Sequence, residues 1–342
     1  MATVKDIAAR CGVSPTTVSY VLNGKSEERH ITAETTLKVL RAAEELGYIL
    51  PKAEKREHPN TPPRVLILWP SSYPGQELMC LFSALEDENL LRQKNFEPEI
   101  KLYRGSHLAE EWERKEPDRY DLIIPVALKP KDMVFLSKTP HRAVIVTLNR
   151  RVRGCASVSI DNEAAGRMAC DLLFSTCGKS VSAVFEEYDG SSAIGRMTRH
   201  DAFICRAKEL NIPILKHTYQ CSITGSYEEG YRLALDLIHS GSMTKGIFFT
   251  QDHTGIGFMA AMQKNGIQPG KDFYMLAAGL GSQDLCRFSS PPITALDMKV
   301  EETIAQAIHL GFEILDGMTP IDTVLTMQPG VIFRSTLPST DW

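Results

Sequence analysis

Residues 3–24 read TVKDIAARCGVSPTTVSYVLNG, and their pattern specifies two short helices at the start of the chain. Apolar residues recur at positions 4, 7, 8 and 11, the spacing that puts them on one face of a two-turn helix. Gly12 is expected to end this helix, because glycine adopts the left-handed conformation at low cost. Ser14 is expected to cap a second helix with Pro15 at its first position, where a missing N–H is tolerated.

A third helical pattern follows Thr32 and runs to Leu46, with Val39, Leu40 and Ala43 also on its inner face. Two short helices joined by a tight turn and braced by a third are typical of a helix-turn-helix DNA reader. A small helical cap with no nucleic acid partner would show the same spacing. The second helix presents small hydroxyl side chains and one tyrosine, which suit base edges and phosphates, so these residues favour the DNA reader.

The same stretch resembles the N-terminal signature of the lactose-repressor (LacI/GalR) family of transcription regulators. The resemblance is carried by Thr3-Val4-Lys5-Asp6-Ile7-Ala8, Gly12-Val13-Ser14, Thr17-Val18-Ser19 and Val21-Leu22-Asn23. It implies base contacts in the major groove from Pro15, Thr16 and Tyr20. It implies phosphate contacts from Thr3, Ser14, Thr17, Ser19 and Asn23. Because proline offers no side-chain hydrogen bond, base reading is expected to rest mainly on Thr16 and Tyr20.

Charge is distributed unevenly along the chain. The 342 residues carry a formal net charge of -4, which argues against a protein that coats nucleic acid with its whole surface. Residues 1–26, however, contain Lys5, Arg10 and Lys25 against a single acidic residue, Asp6. One such weakly basic reader would bind weakly, whereas two on a palindrome would double the phosphate contacts. The resemblance accordingly implies a homodimer on a double-stranded DNA operator.

Residues 51–63 contain several prolines and many charges, which predicts a linker after an N-terminal domain of residues 1–50. In the family, this stretch forms a hinge helix that inserts a leucine into the minor groove, as apolar wedges do in DNA-bending proteins. Glu57 stands at the leucine position here, and Glu54 at the preceding alanine position. We therefore expect a plain tether without a leucine wedge, and an operator that is bent less than those of relatives.

Residues 64–342 alternate between apolar strands and helices, which predicts an α/β body of two doubly wound parallel-sheet lobes, similar to periplasmic binding proteins. The predicted strands are Val65–Trp69, Ile100–Tyr103, Leu122–Val126, Ala143–Leu148, Val181–Phe185, Gly246–Thr250 and Phe273–Ala278. The predicted helices include Glu163–Cys177, Thr198–Leu210, Tyr227–Ser240 and Ile256–Asn265. The resemblance implies that residues 64–160 and 293–319 form lobe one, and that residues 161–292 and 320–342 form lobe two.

Ligands of such sheets bind at the carboxyl ends of the strands, which predicts an effector site in the cleft between the lobes. By resemblance, the effector-binding candidates are Tyr73, Glu77, Asp161, Arg199, Gln251 and Asp252. Asp161 has a second interpretation as the cap of the helix near Glu163, and Arg199 has one as a surface residue. Members of the family contact a sugar or related metabolite through an aspartate at the position where this chain has Gly281. Two interpretations therefore remain: the cleft binds a different class of effector, or it is vestigial and binds none.

Enzymatic functions find little support in the sequence. The segment 255–260, GIGFMA, fits the loose dinucleotide-binding fingerprint, but the acidic residue expected about 20 positions later is absent. We interpret these glycines as allowing a helix to pack closely on its sheet. No Gly-x-Ser-x-Gly, His-Glu-x-x-His or P-loop motif occurs. The sequence predicts a regulator without enzyme activity, cofactor or metal; the alternatives are an effector-independent regulator and an uncharacterised α/β enzyme.

The eight cysteines never form Cys-x-x-Cys, and no apolar run approaches the length that a bilayer demands. These features predict reduced thiols in a cytoplasmic protein with no membrane partner.

Overall fold

The computed structural model describes residues 4–22, 31–46, 61–71, 76–92, 96, 98–187, 194–213, 215–220, 226–279 and 285–339. It contains an N-terminal three-helix unit and an α/β body with two six-stranded sheets. The predicted fold class is therefore confirmed. Within these residues, no helix is both long enough and apolar enough to cross a membrane.

The three-helix unit consists of α1 (Val4–Cys11), α2 (Pro15–Leu22) and α3 (Ala33–Glu45). Gly12 follows α1 in the left-handed conformation, with φ of 67°. Ser14 Oγ accepts a hydrogen bond from Thr17 N at 3.0 Å, so Ser14 caps α2 as predicted. Thr32 Oγ1 accepts one from Thr35 N at 3.2 Å and caps α3. The unit buries its own small core: Ile7, Ala8, Cys11, Val18, Val21, Val39, Ala42 and Ala43.

The inner face of α3 differs from the prediction at its C-terminal end. Leu46 is 36% exposed, whereas Ala42 is buried beside Val39 and Ala43. The helix ends at Glu45, and Leu46 lies in the following turn with its N–H bonded to Ala42 O at 3.0 Å. Leu46 therefore lies beyond the last helical residue, where the helical periodicity no longer fixes the direction of its side chain.

The chain then alternates between strands and helices. The strands are β1 (Val65–Pro70), β2 (Pro98–Tyr103), β3 (Leu122–Pro125), β4 (Val144–Leu148), β5 (Ala156–Ile160), β6 (Val181–Glu187), β7 (Leu215–Gln220), β8 (Gly246–Phe249), β9 (Tyr274–Gly279), β10 (Thr294–Asp297), β11 (Val324–Met327) and β12 (Gly330–Ile332). The helices are α4 (Gln76–Arg92), α5 (Leu108–Glu111), α6 (Pro130–Lys138), α7 (Asn162–Cys177), α8 (Ile194–Glu209), α9 (Ser226–Ser240), α10 (Asp252–Lys264), α11 (Leu285–Phe288) and α12 (Val300–Leu315). Short 3₁₀ turns span Glu113–Lys115 and Pro117–Arg119.

Lobe one is built on the parallel sheet β11-β5-β4-β3-β1-β2, and lobe two on the sheet β12-β10-β9-β8-β6-β7. Among the described strands of lobe two, β12 alone runs antiparallel to its neighbour. Strands β1, β3, β4 and β8 are buried along their whole length. This burial explains why they read as continuous apolar runs in the sequence.

The chain crosses between the lobes at places that differ from the expected boundaries at 293 and 320. β10 pairs with β9 and so belongs to the second sheet, whereas α12 packs its Ile304, Ile308 and Phe312 onto the core of lobe one. β11 then pairs with β5 in lobe one, and β12 returns to β10 in lobe two. The crossings therefore follow Ile160, Asp297 and Met327. β11 escaped prediction because it alternates exposed and half-buried residues at the sheet edge.

Candidate nucleic-acid interface and effector site

The exposed face of α2 carries the residues expected to read bases. Val18 and Val21 are buried in the core of the three-helix unit, which turns the opposite face of α2 outward. Pro15 and Thr16 are exposed, and Tyr20 is half-buried. Because residues four apart are neighbours on a helix surface, Thr16 and Tyr20 lie side by side. The hydroxyl groups of Thr16 and Tyr20 are of the kind that can hydrogen-bond to base edges in a major groove.

The residues expected to contact phosphates are described only in part. Ser14 is exposed, and its hydroxyl lies 2.8 Å from that of Thr17, so the two form one polar patch at the start of α2. A helix N-terminus and paired hydroxyls are groups that bind phosphate oxygens. Thr3 and Asn23 lie outside the described residues, and Ser19 is placed in α2 without a described side chain.

Arg199 joins two elements that carry other effector-binding candidates. Its Nη1 donates to Asn162 Oδ1 and its Nη2 donates to Thr250 O, both at 2.8 Å. Asn162 follows Asp161 at the start of α7, and Thr250 precedes Gln251 at the end of β8. The structure thus brings four candidates from distant parts of the sequence, Asp161, Arg199, Gln251 and Asp252, to one end of lobe two. Half-buried Arg199 is not the surface residue of the alternative interpretation.

Asp161 lies at the first crossing between the lobes and makes two hydrogen bonds there. Its Oδ1 accepts from Ala164 N at 2.8 Å, so Asp161 is the N-cap of α7. Its Oδ2 accepts from Gln328 Nε2 at 3.3 Å, which links the first crossing to the third. The helix-capping role weighed from the sequence is therefore present, together with a contact that the sequence did not predict.

Asp252 is fully buried at the N-terminus of α10, where the helix dipole favours a negative charge. Its Oδ1 accepts a hydrogen bond from His253 N at 2.8 Å, and His253 Nδ1 lies 2.8 Å from the same oxygen. Buried Oδ2 accepts no hydrogen bond from the residues that the structure describes. The predicted helix began at Ile256, but α10 begins at Asp252, because the carboxylate supports its first turn.

Tyr227 and His253 extend this end of lobe two, although no sequence motif marks either of them. Their rings meet edge to face, with centroids 4.8 Å apart. Burial, and then the nearby charge of Asp252, raise the pKa of the Tyr227 hydroxyl. The only sequence signal was the position of His253 directly after a predicted site residue. An aromatic ring beside a buried carboxylate is an arrangement that suits a polar, cyclic ligand.

Three glycines allow the helices of lobe two to approach closely. A Cβ on Gly166 would lie 2.1 Å from Arg199 O, and one on Gly257 would lie 1.9 Å from Tyr227 O. A Cβ on Gly230 would lie 2.1 Å from Thr254 O. Gly257 thus serves helix-on-helix packing against α9, which corrects our expectation of packing on the sheet. Gly255 does face the sheet, since its Cβ would meet the Met275 side chain at 3.4 Å.

Several expected site residues are outside the described set. Tyr73 and Gly281 are not described, and Glu77 is placed in α4 without a described side chain. The linker residues Glu54 and Glu57 also lie outside it. The effector contacts, the altered cleft and the linker without a leucine wedge that these residues imply therefore stay predictions.

Two family models match the chain. The model of bacterial regulatory proteins, lacI family, matches residues 3–50, and the periplasmic binding protein-like domain matches residues 183–337. The HTH-type transcriptional repressor MelR of Bacillus subtilis (strain 168) is 26% identical over 93% of each chain. The HTH-type transcriptional repressor PurR of Pasteurella multocida (strain Pm70) is 24% identical over 99% of each chain.

Solved structures show the same architecture. A LacI family transcription regulator from Clostridium acetobutylicum matches with a TM-score of 0.71 and 22% identity, over 80% of this chain and 99% of its own. The lac repressor dimer bound to operator and the anti-inducer ONPF matches with a TM-score of 0.67 and 16% identity, over 98% of each chain. Together with the helix-turn-helix unit and the two lobes, these matches confirm the resemblance to the lacI family of DNA-binding transcription regulators.

Proposed function

We propose that this protein is a repressor that reads a palindromic double-stranded DNA operator as a homodimer and responds to a small molecule bound between its lobes. The observation that carries the proposal is the outward face of α2, where Thr16 and Tyr20 lie together on a helix whose other face is buried. Similar proteins support it, since one is a lac repressor dimer bound to operator and another is a CelR–cellobiose complex. A sugar or related metabolite is therefore the proposed effector.

The proposed mechanism uses the crossings between the lobes. An effector that contacts Arg199 and Asp252 of lobe two together with lobe one would change the relative placement of the lobes. β1 begins only two residues after the expected linker, so a movement of lobe one carries the linker with it. The resulting change in spacing of the two readers would alter operator affinity, a coupling that is typically about 1–3 kcal/mol.

The test of DNA reading replaces both Thr16 and Tyr20 by Ala in the full-length chain. A palindromic duplex selected by the wild-type protein from a random pool serves as the probe. We expect the affinity of the variant for this duplex to fall to that for unrelated DNA, with an unchanged melting temperature because both side chains lie outside the core. Ser175→Ala, which removes an exposed hydroxyl in α7 of lobe two, is the control. A variant that keeps full preference for the palindrome contradicts the proposal.

The effector is tested by thermal unfolding in the presence of sugars, phosphorylated sugars and nucleobases. A ligand at a hundred times its Kd should stabilise the protein by about 2.7 kcal/mol. Stabilisation that is lost in Arg199→Ala supports the proposed site. Silence from every compound favours the second candidate, an effector-independent regulator with a vestigial cleft, for which Gly281 in place of an aspartate is the motivating residue. Either regulator would act in the cytoplasm by binding alone, without catalysis or a cofactor.

A further inference from the structure

Four basic side chains gather at one end of the sheet of lobe one. Arg64, Arg142 and Arg153 come just before β1, β4 and β5, and Lys138 ends α6 on the approach to β4. We call these four residues the basic edge. All four are exposed. They are distant in the sequence, and only the parallel pairing of the strands brings them together.

The register of the sheet sets their spacing. Val65 lies opposite Leu122, Leu122 opposite Val144, and Val146 opposite Ala156. The residues that precede β1, β3, β4 and β5 therefore form a row across the amino-terminal ends of adjacent strands. Since neighbouring strands are about 4.8 Å apart, the row from Arg64 to Arg153 is about 14 Å long. A DNA duplex carries about eight phosphate charges over that length.

Carboxylates leave this sector of the edge mainly positive. Asp121, the acidic residue within the row, points one oxygen at the backbone, where Oδ2 accepts from Arg64 N at 2.8 Å. Glu99 lies to one side, near Lys101 at 3.6 Å, and exposed Asp322 lies before β11 on the other side. Before β3, exposed Asp118 and Arg119 offset each other. Positive charge is therefore concentrated over β1, β4 and β5.

The position of the basic edge relative to the linker indicates which partner the edge binds. Arg64 directly follows the linker, so the basic edge is the side of lobe one that the chain enters from the DNA reader. The carboxyl ends of the same strands, where an effector would bind, are at the opposite side. Residues 1–26 of the reader are only weakly basic, and the linker sets Glu54 and Glu57 against Lys52, Lys55 and Arg56. A basic edge on lobe one would add phosphate contacts to those that the reader makes.

We propose that the basic edge binds phosphates of the operator duplex while the two readers occupy their half-sites. The contacts are sequence-independent, because they reach the DNA backbone and not the base edges. They add affinity that depends steeply on salt, since each neutralised phosphate releases counterions. This inference rests on the proposed operator binding and adds a second DNA-contacting surface in the body of the protein.

The test compares wild type with the triple variant Lys138→Gln/Arg142→Gln/Arg153→Gln, as full-length chains. Binding to the selected palindromic duplex is measured between about 50 and 200 mM salt. We expect a lower affinity and a salt slope that is shallower by about 0.9 for every phosphate that the variant no longer neutralises, with unchanged preference for the palindrome over unrelated DNA. Matching melting temperatures show that the variant is folded.

The control removes the same charge from lobe two, with Lys179→Gln/Lys208→Gln/Lys271→Gln, all at exposed positions. If the basic edge binds DNA, the operator affinity of this control variant should depend on salt as steeply as that of the wild type. An unchanged slope in the edge variant, or an equal fall in affinity in both variants, overturns the inference while leaving operator reading intact. Wild-type protein that shows no preference for any palindrome overturns the proposed function as well. The edge variant is also tested for binding to an acidic polypeptide. If it binds DNA normally but has lost this binding, the basic edge belongs to a protein partner, and the inference that it binds DNA is overturned.

Discussion

At the scale of single residues, Glu209 shows how this fold uses charge away from any binding site. Its carboxylate receives two hydrogen bonds from Arg167, at 2.8 and 2.7 Å, and one from Arg206 at 2.9 Å. Arg167 lies on α7 while Arg206 and Glu209 lie on α8, so the cluster joins the two helices that carry Asn162 and Arg199. The bonds from Arg167, followed by that from Arg206, lower the pKa of Glu209 to about 2.

This pKa predicts a pH-dependent contribution to stability. A carboxyl group whose folded pKa lies below its unfolded value of 4.5 stabilises the protein above pH 4.5 and loses this effect as the pH falls towards 2. We expect Glu209→Gln to melt at a lower temperature than wild type at pH 7, with the difference shrinking as the pH falls from 4.5 to about 2. Asp236→Asn, at an exposed position on α9, is the control. A difference that stays constant down to pH 2 contradicts the assignment.

At the scale of elements, the helix pairs of lobe two depend on the missing side chains of glycines. α9 and α10 approach so closely that a Cβ on Gly257 would lie 1.9 Å from Tyr227 O, a backbone atom that cannot rotate away. The same pair of helices holds the Tyr227 ring against that of His253, which itself contacts Asp252. Close packing of these helices therefore also sets the geometry of the candidate effector site.

Gly257→Ala should consequently force α9 and α10 apart. Overpacking of this kind typically destabilises a protein by about 1–3 kcal/mol, measurable by urea unfolding. Gly255→Ala on the same helix is the matched control, because its new Cβ would meet only side chains, the nearest at 3.4 Å. Equal decreases in stability in the two variants would show that helix propensity or general crowding, and not the approach to Tyr227, governs this position.

α4 presents a second element-scale feature, an exposed apolar face on lobe one. Leu90 and Leu91 are 72% and 74% exposed, and Met79 and Phe82 are exposed on the same helix. Leu102 is exposed on the edge strand β2 beside it. Contiguous exposed apolar surface on a protein commonly marks an interaction site. In a homodimer this face is the natural candidate for the contact between the two copies of lobe one.

We expect Leu90→Glu/Leu91→Glu to weaken self-association, because two buried carboxylates would lose solvation without gaining partners. Sedimentation over a range of protein concentrations measures the effect. Operator affinity should fall with it, since one reader makes only half of the phosphate contacts. Phe288→Glu, at an exposed apolar residue of lobe two, should leave both properties unchanged. A double variant that remains fully dimeric places the interface elsewhere.

At the scale of the whole molecule, local sequence patterns predicted the individual helices, caps and buried strands. Ser14, Gly12 and the apolar positions of α1 and α2 specified the helix-turn-helix, because caps and periodicity act within a few residues. The apolar runs of β1, β3 and β4 were equally readable. The sequence could not show that β10 belongs to lobe two, since pairing with β9 is decided by tertiary contacts. It also could not show that Arg199 meets Asn162 and Thr250, which depends on the packing of α8 against α7 and β8. Nor could it show that Arg64 and Arg153 share an edge, which depends on strand register.

The crossings between the lobes determine the order in which parts of this protein can fold during synthesis on the ribosome. The three-helix unit needs only residues up to 46, and its core is separate from those of the body. The sheet of lobe one, by contrast, needs β11, whose last residue is Met327, and the sheet of lobe two needs β12. At bacterial rates of about 5–20 residues per second, the DNA reader is complete about 15–60 s before either lobe. A nascent chain therefore carries a finished reader on an unfinished sensor, and any control by an effector begins only when synthesis is nearly over.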